Sequence, residues 1–343
     1  MKIGNIEFGI DKRVLVIPEI GINHEGSLSV AKEMVDSAKR AGSKLIKHQT
    51  HICEDEMCSI AKGIKPGNSN DSIYDIMSRC ALNEEEEKEL MDYTEKCGMM
   101  FLSTPFSRAA ADRLEKFGVK AYKIGSGEMN NYPLLEHVAE FGKPMIVSTG
   151  MNDLQSIEKA IKILDKYGVE YALMHTTNLY PTQPEQVRLG AMLEMMRAFP
   201  GIPIGLSDHT VTNDACKAAI ALGAKLVERH FTDNMERTGP DIVCSMDEDS
   251  LRDLLRAARE IPKMLGGKKE AISDEKVTID FAFATVVTIK PIKKGELFTK
   301  ENIWVKRPGT GDIKAEFFNE IIGCRADEDI EEDVQLSWEM IKK

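Results

Sequence analysis

One pattern constrains this chain more than any other. A short apolar, β-branched run recurs eight times before residue 232, and a helical stretch separates each run from the next. The runs fall at 14–22, 44–50, 99–105, 121–127, 144–150, 171–177, 203–209 and 225–231. Between them the apolar positions switch to helical spacing, as at Leu154, Ile157, Ile161 and Leu164, with polar residues on the opposite face. Six of the helical stretches stop at a glycine just ahead of the next run: Gly42, Gly98, Gly118, Gly142, Gly168 and Gly223. Glycine closes a helix in the left-handed region, so the repetition marks helix ends. Strands joined by helices of this length pair in parallel through crossovers. Eight such units in about 250 residues predict an α/β fold of the (β/α)8 barrel type rather than an open doubly wound sheet.

The pattern breaks where Pro262 and then Gly266-Gly267-Lys268-Lys269 read as a linker. We expect a catalytic barrel over 1–265, a linker over 266–280 and a small β-rich domain over 281–343. In that tail, 281–287 and 302–308 read as strands around a turn at Lys293-Lys294-Gly295. The connection 51–98 is about one helix longer than a barrel unit needs, the kind of insertion that forms a lid or substrate wall. Within it, Asn83 followed by Glu84–Glu87 reads as a helix N-cap with a solvated, dipole-favoured first turn.

Composition excludes some functions. Acidic residues number 56 against 45 basic ones, a formal net charge of −11, which disfavours nucleic acid and anionic membrane as partners. No apolar run approaches the roughly 18 residues of a membrane span, and Met1–Glu7 lacks a secretory pattern, so a cytoplasmic location is expected. Seven cysteines, an odd number with no C-x-x-C pair, read as reduced thiols rather than as a disulfide framework or a zinc site.

The runs begin apolar and end in reactive side chains: Glu19, Lys47 and Gln49, Thr104, Lys123 and Ser126, Ser148, Asn178, Ser207 and His209, and His230. A barrel places all strand C-termini on one face, so these groups converge there. His209 and His230 close adjacent strands and can meet one metal ion. Two imidazoles leave positions open for water and substrate oxygens, which suits an exchangeable divalent ion, Mn²⁺ above all, with Mg²⁺ or Co²⁺ as alternatives. The other five histidines, His24, His48, His51, His137 and His175, read as structural or peripheral. Lys47 and Lys123, with the hydroxyls of Thr104, Ser126, Ser148 and Ser207, form a cradle for a phosphate or carboxylate. Lys123 can alternatively be read as a Schiff-base nucleophile. No phosphate-loop or dinucleotide fingerprint is present. Glu19 and Glu128 are candidate acid–base groups, each with a salt bridge to a lysine as the plainer alternative. Asp241, in a turn-rich loop after the eighth strand, can reach a substrate hydroxyl or simply make a turn.

These residues carry a resemblance. Glu19-Ile20-Gly21-Ile22-Asn23-His24-Glu25-Gly26, Lys47-His48-Gln49-Thr50-His51, Ser103-Thr104-Pro105-Phe106-Ser107-Arg108, Lys123-Ile124-Gly125-Ser126-Gly127-Glu128, Ser207-Asp208-His209-Thr210, Glu228-Arg229-His230-Phe231 and Gly239-Pro240-Asp241 resemble the sialic acid synthase family. The tail, with Trp304-Val305-Lys306-Arg307-Pro308-Gly309, is similar to the antifreeze-like (SAF) domain of that family. The resemblance implies condensation of phosphoenolpyruvate with N-acetylmannosamine to N-acetylneuraminate and phosphate. It implies that Lys47, Thr104, Lys123, Ser126, Ser148, Asn178 and Ser207 hold phosphoenolpyruvate, and that His209 and His230 hold Mn²⁺. Glu19 and Glu128 then manage protons, and Gln49, Asn68, Tyr180 and Asp241 help position the amino sugar. It also implies a domain-swapped homodimer in which Arg307 reaches the other subunit's site. A legionaminate or pseudaminate synthase taking a 2,4-diacetamido-6-deoxy hexose is the alternative of the same class, and a non-catalytic carbohydrate-binding protein the alternative of another. Met129 stands where relatives often have cysteine.

Overall fold

The computed structural model describes residues 1–66 and 70–342, and the chain divides into two compact units, Met1–Gly266 and Gly267–Lys343. The first is the expected barrel. Eight parallel strands, β1 (Leu15–Gly21), β2 (Leu45–Thr50), β3 (Met100–Pro105), β4 (Tyr122–Ile124), β5 (Met145–Ser148), β6 (Tyr171–Thr176), β7 (Ile204–Asp208) and β8 (Leu226–His230), close with β8 against β1. All six helix-stopping glycines adopt positive φ, between 66° and 105°, so the punctuation of the sequence is the punctuation of the fold. The helix Leu154–Tyr167 buries Ile157, Ala160, Ile161 and Leu164, as its spacing requires.

Alternation along the strands separates two cores. Outward residues such as Val16, Ile46, Phe101, Tyr122, Val147, Leu173, Leu206 and Val227 pack against the helices in one cluster. Inward residues Leu15, Ile17, Leu45, Met100, Leu102, Ala121, Ile146, Ala172, Met174 and Leu226 fill the barrel in another, joined by Ile3 and Phe8. Ile3 belongs to the hairpin Lys2–Ile3 and Ile6–Glu7, which plugs the N-terminal end. Two residues further along each strand the inward column turns polar: Glu19, Lys47, Thr104, Lys123, Ser148, Thr176, Ser207 and Glu228. The fold therefore stores its hydrophobic contacts at the bottom and its chemistry at the top.

Three expectations are corrected. The helix Glu248–Met264 runs through Pro262; the proline sits in the last turn, where its ring disturbs little, and Leu265 N–H still donates to its carbonyl. The second half of the expected linker is a helix, Lys276–Ala282, supported by a Lys276–Asp280 ion pair. Phe281 and Ala282 thus end a helix, and the strand begins only at Thr285–Thr288 (β9), antiparallel to Ile303–Lys306 (β10). Finally, Glu87 is not solvated. Asn83 and Glu86 do form a capping box, but Glu87 is 1% exposed; its carboxylate accepts hydrogen bonds from Thr50 and from Arg113 (3.1 Å) and lies 3.3 Å from His48.

The second unit packs its own core, including Val286, Ile292, Phe298, Ile303, Ile313 and Ile321, and Gly295 at φ 84° makes the expected turn. All seven cysteines are free thiols. Among the described residues no helix is long and apolar enough to cross a membrane.

Candidate active site

The top of the barrel holds a cavity of about 170 Å³ lined by Glu19, Lys47, Gln49, Thr104, Lys123, Ser126, Glu128, Ser148, Asn178, Tyr180, Ser207, His209 and His230. Of the residues singled out in the sequence, Asp241 is buried alongside, with Oδ2 3.8 Å from His230 Nδ1. Arg307 is exposed in the second unit, and Asn68 lies outside the described residues.

Strand register builds the centre. His230, Glu19 and Lys47 stand opposite one another across β8, β1 and β2. Lys47 donates to Glu19 Oε1, and Gln49 Nε2 donates to the same oxygen at 2.6 Å. Burial pushes the Glu19 carboxyl up, but Lys47, His230 and Gln49 overcome it and hold it well below the usual carboxylate range. The salt-bridge alternative therefore describes Glu19. It does not describe Glu128, whose buried Oε2 has no partner. Burial, reinforced by Glu56, raises that carboxyl to about 7.

The two lysines diverge. Lys47 is pulled down by burial but raised further by Glu19 and Glu228. For Lys123 burial prevails over Glu228, and Lys47 adds to it, so its ammonium is the easier of the two to deprotonate. Lys123 Nζ donates to Ser148 Oγ at 2.7 Å. Gly150 N–H donates to Ser126 Oγ at 3.0 Å. Thr104 Oγ1 and Asn178 Oδ1 are buried in the lining without partners, which marks the cavity as shaped for polar ligand atoms.

Two residues, one in this floor and one behind it, escaped the sequence reading. Glu228 lies 3.5 Å from Lys47 Nζ and 3.4 Å from Lys123 Nζ, and accepts from Ser207 Oγ at 3.2 Å. The signal was present: Leu226, Glu228 and His230 share the inward face at a period of two. His51, read as peripheral, bridges Gln49 and Glu56. The remaining histidines do not line the cavity. His24 stacks on His48 at 5.4 Å, His175 contacts the Val187 carbonyl, and His137 pairs with Asp112.

His209 and His230 face each other with ring centroids 5.4 Å apart, and Tyr180 lies 4.1 Å from the His209 ring. Burial and the neighbouring His230 push His209 down to about 3, so it is neutral. Its Nδ1 meets the Thr177 carbonyl at 2.8 Å, which assigns the proton to Nδ1 and the lone pair to Nε2. His230 Nδ1 lies 3.1 Å from Glu19 Oε2, off the line of a hydrogen bond. The carbonyl behind His209 is a support of the kind that metal-ligating histidines use. Among the described residues no group of three or more histidines, cysteines or carboxylates is placed to hold a metal ion; what the pair offers an ion is imidazole nitrogen, a donor that suits several divalent metals.

Comparison with known proteins follows the same division. The NeuB family model matches residues 34–270 and the SAF domain model residues 283–342. The uncharacterized protein MJ1065 of Methanocaldococcus jannaschii is 38% identical, over 99% of this chain and 98% of its own. The N,N'-diacetyllegionaminic acid synthase of Campylobacter jejuni is 36% identical, over 94% of this chain and 98% of its own. The crystal structure of an N-acetylneuraminic acid (sialic acid) synthetase from Leptospira borgpetersenii, in complex with citrate, matches with a TM-score of 0.74 at 29% identity, covering 81% of this chain and 94% of that one.

Proposed function

The chain belongs to the NeuB family, whose members are sugar-acid synthases, and from that premise we propose that it joins phosphoenolpyruvate to an N-acetylated amino sugar. Carbon 3 of phosphoenolpyruvate bonds to the aldehyde carbon of the open-chain sugar. Water adds at the cationic carbon 2, and phosphate leaves by C–O cleavage, giving the nine-carbon 2-keto acid. The observation that carries this reading is the floor of the cavity, where two buried lysines, unpartnered hydroxyl and amide oxygens and a pair of imidazoles face one space.

Lys47, Lys123, Thr104, Ser126, Ser148, Asn178 and Ser207 would hold the phosphate and carboxylate of phosphoenolpyruvate. His209 and His230 would hold a divalent ion, Mn²⁺ by preference, whose contribution when bound is Lewis-acid polarisation of the aldehyde. Glu128, which keeps its proton up to about pH 7, would give it to the oxygen that becomes a hydroxyl as the carbon–carbon bond forms. Glu19, held ionised, would fix Lys47 and Gln49 and stand behind His230. Gln49, Asn68, Tyr180 and Asp241, with Arg307 from the partner chain of a swapped homodimer, would orient the sugar. The reaction would take place in the cytoplasm.

The motifs imply N-acetylmannosamine as acceptor. The 36% identity to the legionaminic acid synthase, against 30% over the same length to the N-acetylneuraminate-9-phosphate synthase of Homo sapiens, favours a 2,4-diacetamido-6-deoxy hexose as the second reading. A phosphate-release assay with phosphoenolpyruvate and each sugar, before and after chelation, decides. We expect release that depends on one of the two sugars and is abolished by chelation. Release without any sugar, or none with either, removes the proposal. With phosphoenolpyruvate labelled by ¹⁸O at the enol oxygen, the label should leave in phosphate.

A further inference from the structure

Gln49 lines the cavity, whereas His51 sits behind it, and the hydrogen bonds between them have only one consistent direction. We propose that His51 is a positioning residue that locks the Gln49 amide in the orientation that meets the amino sugar; this rests on the reading of Gln49 as part of the acceptor site.

Glu19 Oε1 already accepts a hydrogen bond from the Lys47 ammonium, which has only donors to offer. The Gln49 nitrogen at 2.6 Å from it must donate, which turns Gln49 Oε1 the other way, to 3.0 Å from His51 Nε2. That ring nitrogen therefore carries a proton. The opposite nitrogen, Nδ1, lies 2.8 Å from Glu56 Oε2, a distance at which a lone pair would repel a carboxylate, so a second proton resides in that contact. Both bonds on the Gln49 side then run toward Glu19, and the remaining amide N–H is left for a sugar oxygen. The imidazole itself has little freedom. It is buried and stacks on Phe106 with centroids 4.4 Å apart and planes at 14°. Glu56 ends the short helix Cys53–Glu56, so the first turn of the long insertion grips the cavity wall through a single ring. Glu19 selects the amide orientation, and His51 prevents its rotation away.

The test pairs His51→Phe, which preserves the stack on Phe106 but removes both ring N–H groups, with His51→Gln, whose amide reaches the Nε2 position. His51→Phe should raise KM for the amino sugar about tenfold, the worth of one good hydrogen bond. KM for phosphoenolpyruvate should stay within about twofold, and His51→Gln should recover most of the loss. An unchanged sugar KM overturns the proposal, and so does an equal loss in kcat and both KM values without rescue. If the wild-type protein turns over no amino sugar, it is the functional reading that fails, and crystal structures then judge His51 separately. A rotated or disordered Gln49 amide in His51→Phe, with the ring at 51 still on Phe106, supports the proposal; an unmoved amide refutes it.

Discussion

Glu128 and Gly150 show how single residues set the chemistry. The Glu128 carboxyl titrates near 7 when folded and near 4.5 when unfolded, so the folded state holds the extra proton between those values. Stability is then lost as pH rises through that window, by on the order of 3 kcal/mol. Glu128→Gln should be about as stable as wild type at pH 5 and distinctly more stable at pH 8, checked by thermal melts at both. If Glu128 acts as the acid, turnover of the wild type should fall above about pH 7, and Glu128→Gln should lose most activity at every pH. Gly150 is required for a different reason. A Cβ there would come within 1.8 Å of Asn178 Oδ1 and 2.8 Å of Ser126 Oγ, so Gly150→Ala should displace two side chains that we propose hold phosphoenolpyruvate. We expect a folded protein with KM for phosphoenolpyruvate raised about tenfold or more. At this scale the sequence was legible where a polar residue ended an apolar run. For Glu228 the period-two pattern gave the inward face, but its role depends on two lysines from other strands, 105 and more residues away. His51 was undervalued because its partner Glu56 acts from an insertion whose path no local pattern specifies.

Elements reveal a second kind of information, carried by faces. Strand alternation predicted which residues turn inward, and helix spacing predicted which bury, because both periods are properties of one segment. The helix Glu84–Lys96 shows the limit. Its first turn is a run of four glutamates, and nothing local separates Glu86, which caps the helix, from Glu87, which enters a buried group with His48, Thr50, Ser103 and Arg113. Glu87→Ala should cost about 3 kcal/mol by stranding Arg113 and His48 without an anion, whereas Glu86→Ala should cost about 1 kcal/mol through the cap alone. Urea unfolding with unchanged m-values would measure both, and equal costs would contradict the structure. The helix Lys276–Ala282 was misread as linker and strand for a related reason: its apolar Val277 and Phe281 are exposed, so their spacing carried no burial signal.

At the scale of the whole molecule the proposed pairing of chains becomes testable. Each unit has its own core, and Arg307 belongs to the second. If the swapped homodimer is right, Arg307→Ala and His230→Ala chains, each inactive alone, should complement when coexpressed. Random pairing would restore about a quarter of wild-type activity, since half of the sites in mixed dimers are intact. Activity no higher than that of the separate variants would exclude a site shared between chains. The closing of β8 on β1 has a consequence of its own. Glu19 and His230 are 211 positions apart along the chain yet meet across that seam. No partly synthesised barrel can therefore assemble the centre, and a reactive enol ester meets a competent protein only after the ring is finished. Catalytic onset during refolding would thus serve as a clock for the last strand to dock.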